Sequence, residues 1–333
     1  MESLSIAVAD PSHVSAARQG GQRLAHALEF DTTRAGRLAI AVTEATTNML
    51  KHAGGGTLAA RTLARGDAVG IEVLAIDRGP GMENFRDSAR DGVSTTGTAG
   101  TGLGAMQRQS DEFDVYTLPS QGTIVRMVFW NRKPAPVPEH YEIGAICIPK
   151  TGENVCGDAW GMETHAQGAT FLVADGLGHG PDACRAASSA VQVLHANAGR
   201  SAVRILDLAH GSLRATRGAA VAVIRHDADR GEIAFAGVGN VAACIFEGAS
   251  RRAMISHNGI VGHNVHKAEE YRYPWPPGAL LIAHTDGLET QWSLSAFPGL
   301  TGHHPSLIAA MLFREHSRKR DDVTVFVARA TPH

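Results

Sequence analysis

Phe171-Leu-Val-Ala-Asp-Gly-Leu-Gly-His-Gly180 is an apolar run that ends on a carboxylate at a glycine turn. The pattern predicts a buried strand that delivers Asp175 to its edge. The arrangement recurs in Ala279-Leu-Leu-Ile-Ala-His-Thr-Asp-Gly287, which ends on Asp286-Gly287. Asp321-Asp322 stand directly before the strand-like Val323-Thr-Val-Phe-Val-Ala-Arg329, and Asp158 closes Glu153-Asn-Val-Cys-Gly-Asp158. Asp-Gly alone is a common turn dipeptide. Four acidic positions at strand edges are a stronger signal. Carboxylates brought together repel, and hard divalent cations such as Mg2+ or Mn2+ relieve the repulsion.

Around these positions, strands are expected over 142–148, 169–174, 219–225, 232–238, 241–247, 279–284 and 323–329. Helices are expected over 182–198, 202–216 and 305–318. Many strands with few, grouped helices predict a sandwich of sheets flanked by helices, an α+β class. Upstream, Asn131-Arg-Lys-Pro-Ala-Pro-Val-Pro138 places three prolines in five residues, which continue neither helix nor strand. With 333 residues, two domains are expected: 1–132, a proline-rich linker 133–139, and 140–333.

The first part reads differently. Residues 12–30 have helical spacing interrupted by Gly20-Gly21, a weak point for a helix. A second helix is expected over 35–53, with Leu38, Ala41, Val42, Ala45 and Met49 on one face. Glu44, Asn48 and His52 lie four apart on a neighbouring stripe, and Gly54-Gly-Gly56 ends the helix. Strands follow over 58–63 and 69–76, the second running into Asp77-Arg-Gly-Pro-Gly81. Residues 88–104 have no period and read as a loop, followed by a helix over 103–109 and strands over 113–118 and 123–130. The stripe alone would be a solvated polar face. Asp77-x-Gly79-x-Gly81 and Gly100-Thr-Gly-Leu-Gly104 add glycines whose backbone N–H groups can approach phosphates, the latter at a helix start. A Rossmann reading fails because no strand precedes the glycines, and no Gly-Lys-Ser/Thr of a Walker A loop is present.

Asp158, Val173-Ala-Asp-Gly-Leu-Gly-His-Gly180, Ala236-Gly-Val-Gly-Asn240, Thr285-Asp-Gly-Leu-Glu289 and Arg320-Asp-Asp-Val-Thr324 resemble the metal-dependent PP2C superfamily of serine/threonine phosphatases, in its compact SpoIIE and RsbX branch. The resemblance covers about residues 140–330. It implies two Mn2+ or Mg2+ ions held by Asp175, Asp286, Asp321 and the Gly176 carbonyl, with Asp175 bridging them. Asp158 would act through a coordinated water or a further metal. The stretch Thr151-Gly-Glu-Asn-Val-Cys-Gly157 lacks the arginine that larger relatives carry there, so the metals and backbone are expected to hold phosphate.

The first part is similar to the GHKL ATP-binding fold, and within it to the RsbT- and RsbW-type serine kinases and anti-sigma factors of bacterial partner-switching modules. Thr43-Glu-Ala-Thr-Thr-Asn-Met-Leu-Lys-His-Ala53 resembles the N box, Asp77-Arg-Gly-Pro-Gly81 the adenine box, Gly100–Gly104 the phosphate box and Gly122-Thr123 the last element. The implied ATP ligands are Asn48, His52, Asp77, Gly79, Gly81, Gly100, Thr101, Gly102, Gly104 and Thr123. Asn48 would hold Mg2+, Asp77 the adenine amino group, and Glu44 would activate the substrate serine.

The expectation is therefore a GHKL-like α/β sandwich fused to a PP2C-like β-sandwich flanked by helices. The halves would phosphorylate and dephosphorylate a STAS-domain anti-sigma antagonist or stressosome-type protein. The rival reading makes 1–132 a non-catalytic, ATP-dependent anti-sigma binding module whose partner is a sigma factor. A net charge of −2 with no basic run argues against nucleic acid. With no long apolar run or leader pattern, a cytoplasmic location away from membrane is expected. Cys147, Cys156, Cys184 and Cys244 form no C-x-x-C pair and read as reduced core thiols. His263-Asn-Val-His266 and His303-His304 read as polar loop histidines without carboxylate companions, not as metal ligands.

Overall fold

The computed structural model of the chain describes residues 3–83, 102–136, 140–248, 250–265 and 268–331. Two compact units are present: Met1–Pro138 with Gly302–Arg314, and Glu139–Thr301 with Glu315–His333.

In the first unit, β1 (Ser3–Val8) precedes α1 (Ser12–Ala27) and α2 (Thr32–Ala53). Then come β2 (Gly56–Arg65), β3 (Ala68–Ile76), α3 (Gly102–Gln109), β4 (Glu112–Thr117) and β5 (Thr123–Trp130). The strands form one antiparallel sheet in the order β1-β2-β3-β5-β4. The predicted stripe of α2 is buried, and Leu38 through Met49 pack with Ile71, Val73, Met127 and Phe129. Removing one such leucine side chain from water is worth about 1.5–3 kcal/mol. Asp31 caps α2 by accepting from the Arg34 amide at 2.8 Å, and Gly54 closes it in the left-handed region at φ 69°.

Gly20-Gly21 does not interrupt α1. A Cβ at Gly20 would lie 2.6 Å from Leu4, so the glycine admits β1 close to the helix. Neither β1 nor this approach was expected. The helix expected over 103–109 begins one residue earlier, at Gly102, as α3. The loop expected before it, with Gly100 and Thr101, lies outside the described residues. Residues 133–136 form neither helix nor strand, and 137–139 lie outside the description.

The second unit contains β6 (Tyr141–Ile148), β7 (Asp158–His165), β8 (Gly168–Gly176), α4 (Pro181–Asn197), α5 (Ala202–Ser212), β9 (Ala219–Asp227) and β10 (Glu232–Val238). It continues with β11 (Ala242–Glu247), β12 (Ser250–Ala253), β13 (Tyr271–Pro274), β14 (Leu280–His284), α6 (Pro305–His316) and β15 (Val323–Ala330). Two antiparallel sheets, β13-β10-β9-β8-β7 and β12-β11-β14-β15-β6, enclose a core of Phe171, Val173, Ile224, Phe235, Ile245, Leu281 and Phe326. Leu172, Ala174, Val221 and Val223 pack against α4 and α5 on the opposite face. β8 is therefore buried on both faces, which is why Phe171–Ala174 is continuously apolar instead of alternating.

β7, β12 and β13 were not predicted: β12 is four exposed residues, and β7 and β13 are edge strands with little apolar content. The helix expected to reach 216 stops at Ser212 and continues as a 3-10 turn, Leu213–Ala215.

One segment departs from the expected division. Gly302–Arg314, expected with 140–333, belongs to the first unit. The helix itself was expected, over 305–318; nine of the twelve α6 residues are buried, so no polar face in the sequence marks which unit it packs with. Ser306 donates to Glu72 Oε1 at 2.8 Å. His303 Nδ1 lies 2.9 Å from Asp114 Oδ1, and the His304 amide donates to Asp114 Oδ2 at 3.1 Å. These histidines thus have a carboxylate companion, contributed from 189 residues away in the chain.

Candidate active sites

In the second unit, strand direction gathers the acidic residues. β7 begins with Asp158 and β8 closes on Asp175-Gly176; the two aspartates are register partners. β14 ends two residues before Asp286, and β15 starts just after Asp321-Asp322, with His284 opposite Val325. Antiparallel pairing brings two strand starts and two strand ends to the same end of the sandwich. Thr285 ties the set together: its hydroxyl donates to Asp158 Oδ2 at 2.7 Å and accepts from the Thr324 amide at 2.9 Å.

The electrostatics match this crowding. Burial, then the charges of Asp286, Asp321 and Asp322, push Asp175 up to about 7. Burial and Asp175 raise Asp158 well above the usual carboxylate range. Burial and Asp321 raise Asp286, against the Arg318 charge and a 2.6 Å hydrogen bond from the Asn240 amide. Burial also raises Asp322, whose Oδ1 accepts from the Lys150 amide at 2.9 Å. The turn after Asp175 admits only glycine, since a Cβ at Gly176 would lie 2.1 Å from the Ala183 carbonyl oxygen. Asp175, Asp286 and Asp321 line a cleft of about 540 Å³.

Mutually repelling carboxylates with an adjacent main-chain carbonyl form a hard-oxygen donor set suited to Mg2+ or Mn2+. Among the described residues no group of three or more His, Cys, Asp or Glu is placed to hold a metal ion by itself. Ions of this kind keep several waters and need only a few protein ligands. The residues fit such ions.

In the first unit, α2 presents Glu44, Asn48 and His52 along one side. Gly102, at the start of α3, faces the first two: a Cβ there would lie 2.8 Å from Asn48 Nδ2 and 3.3 Å from Glu44 Oε2. Asp77 follows β3, and its Oδ1 accepts from the Gly79 amide at 2.8 Å and the Thr123 amide at 3.1 Å. Burial raises its pKa, against those two amides and the charges of Arg314 and His52. Gly81 is required by its φ of 65° and by the Leu118 carbonyl, 1.9 Å from where a Cβ would stand. Glu44, Asn48 and Gly102 thus converge, as do Asp77, Gly79 and Thr123.

Three features of the second site were not singled out in the sequence. Lys150 lines the cleft, Asn240 binds Asp286, and His179 Nδ1 lies 2.6 Å from Glu153 Oε1. Asn240 was within a quoted motif. Lys150 and Glu153 carry no local signal, because their relation to the cleft arises through the neighbours of β6 and β8.

A one-sheet unit with a glycine-flanked helix stripe and a two-sheet unit with an acid-lined end define a GHKL-type ATPase domain fused to a PP2C-type protein serine/threonine phosphatase domain. Comparison with known proteins agrees. Residues 7–129 match the histidine kinase-like ATPase domain and residues 166–331 the stage II sporulation protein E (SpoIIE) family. The serine/threonine-protein kinase RsbT of Bacillus subtilis (strain 168) is 34% identical over 119 residues, 36% of this chain and 90% of that protein. A structure solved in work on the bacterial stressosome, described there as a modular system adapted to control secondary messenger signalling, is 31% identical. It matches with a TM-score of 0.54, over 57% of this chain and all of the other. RsbX in complex with magnesium, 20% identical, shares the fold with a TM-score of 0.51 over 59% of this chain and 98% of its own. The chain belongs to the RsbT family through its first part and joins it to a SpoIIE/RsbX-type phosphatase domain. Among the described residues no helix is long and apolar enough to cross a membrane.

Proposed function

We propose that the chain writes and erases one regulatory phosphate. Residues 1–132 transfer phosphate from ATP to a serine or threonine of a partner, and residues 140–333 remove it. The proposed partner is a STAS-domain antagonist of an anti-sigma factor or a stressosome-type protein, in a bacterial partner-switching pathway. The observation that carries the kinase half is Glu44, one helical turn from Asn48 and beside Gly102. A carboxylate there can take the proton of a substrate hydroxyl. Asn48 would hold Mg2+ with ATP. Asp77 would face the adenine amino group through Oδ2, since Oδ1 already accepts from two amides.

In the phosphatase half, Asp175, Asp286, Asp321 and the Gly176 carbonyl would hold two Mn2+ or Mg2+ ions, with Asp158 acting through water or a further ion. Such ions supply an acidified water and neutralise charge at phosphorus. The chain's own part is to orient the carboxylates: Thr285 fixes Asp158, and Asn240 fixes Asp286.

The test is to incubate the full chain with ATP, Mg2+, Mn2+ and candidate STAS proteins, following phosphoserine by mass spectrometry. Glu44→Ala should leave the partner unphosphorylated and Asp175→Asn should leave it fully phosphorylated. If the phosphatase clears only a protein that the kinase never modifies, the opposed-activity reading is wrong. Capture of a sigma factor with no phosphotransfer would assign the first part the binding role instead.

A further inference from the structure

Lys150 is the one lysine or arginine among the described residues lining the carboxylate cleft, which it shares with Asp175, Asp286 and Asp321. Strand register puts it there. Ile148, the last residue of β6, pairs with Val323, so the chain leaves β6 beside Asp321-Asp322. The Lys150 amide donates to Asp322 Oδ1 at 2.9 Å, and its carbonyl accepts from the Glu153 amide at 2.9 Å. Glu153 is anchored by His179 at 2.6 Å. The backbone is thus tied on both sides at a position that lines the cleft. Among the described residues Lys150 forms no ion pair. An ammonium that borders several carboxylates and pairs with none is available to an anion.

We propose that Lys150 binds the phosphoryl group of the substrate, donating to a non-bridging oxygen of phosphoserine or phosphothreonine and then of the released phosphate. The inference rests on the phosphatase reading above. A phosphomonoester dianion is repelled by a cleft lined with aspartates, and a positive charge supplied by the protein offsets part of that repulsion. Lysine suits the task because its compact charge carries three rotatable donors.

The test uses the full chain with Mn2+, comparing wild type, Lys150→Met and Lys150→Arg. Inorganic phosphate affinity is read by calorimetry and by competitive inhibition, kcat and KM on a phosphoserine peptide, and Mn2+ binding by thermal shift. Lys150→Met should weaken phosphate binding by about 10–100-fold, the range for one charge-assisted hydrogen bond. KM should rise with it and the Mn2+ shift should stay unchanged, while Lys150→Arg recovers most of the affinity. Wild-type phosphate affinity and KM in Lys150→Met, beside an active wild type, would overturn the inference and leave the phosphatase reading standing. A wild type that neither hydrolyses phosphoserine nor binds phosphate would remove both. If Lys150→Met fails to melt cooperatively, Lys150→Gln carries the same comparison.

Discussion

Asp158 and Asp175 face each other as register partners on β7 and β8, and burial together with neighbouring charge raises both carboxyls. Such a pair is costly to hold at the end of a sandwich without a cation, so the chain has placed charge where ligand binding can offset it.

Asp175→Asn therefore separates function from stability. Turnover of a phosphoserine peptide should be lost. Because the folded-state pKa of Asp175 is raised from 3.8 to about 7, stability is lost progressively as pH rises between those values, and the penalty is complete above about 7. In EDTA at pH 8 the variant should melt about 2–5 °C above wild type, with the gap closing as pH falls toward 4. Unchanged phosphatase turnover in this variant rules out the metal-site assignment.

Glu72 predicts the acid limit of the first unit. Burial favours its neutral form, but Arg61 at 2.5 Å and Arg126 at 2.6 Å outweigh that and hold its pKa near 2. A depressed carboxyl stabilises the fold fully above the unfolded value of 4.5, and the contribution fades as pH falls toward 2. Glu72→Gln should cost roughly 3–5 kcal/mol at pH 7 by removing the buried carboxylate that the Arg61 and Arg126 guanidiniums share. The two proteins should converge near pH 2–3. Parallel urea midpoints for both across pH 7 to 3 would contradict this.

Gly176→Ala tests the turn that aims Asp175. A Cβ there would sit 2.1 Å from the Ala183 carbonyl oxygen, so the turn must open, at a cost of about 2 kcal/mol or more. Gly199→Ala meets nothing within 4 Å and should stay within about 0.5 kcal/mol of wild type. Chemical denaturation of the two variants side by side checks the contrast.

Asn48→Ala should lower Mg2+-dependent ATP affinity of the full chain by at least about tenfold, as expected for a lost ligand to a bound ion complex. Glu44→Ala should keep ATP affinity while abolishing phosphotransfer, and His263→Ala should change neither. Calorimetry reporting equal ATP affinity for wild type and Asn48→Ala would falsify the nucleotide-site assignment.

The sequence alone determined the elements whose signals are local. Phe171–Ala174 is apolar at every position because both faces of β8 are covered, and Asp175-Gly176 marks where it ends. The α2 stripe and its closure at Gly54 are equally plain, because period and cap lie within one stretch of chain. Edge strands escaped notice because β7 and β12 have too little apolar surface to show an alternation. Only the tertiary structure decided what depends on pairing between distant segments. It set Asp158 opposite Asp175, brought Lys150 beside Asp322 across 172 positions, and assigned Gly302–Arg314 to the first unit through Ser306 and Glu72. The physical reason is that register and packing are settled by surfaces the whole chain must bury together, whereas the residues that meet there carry no mark of one another.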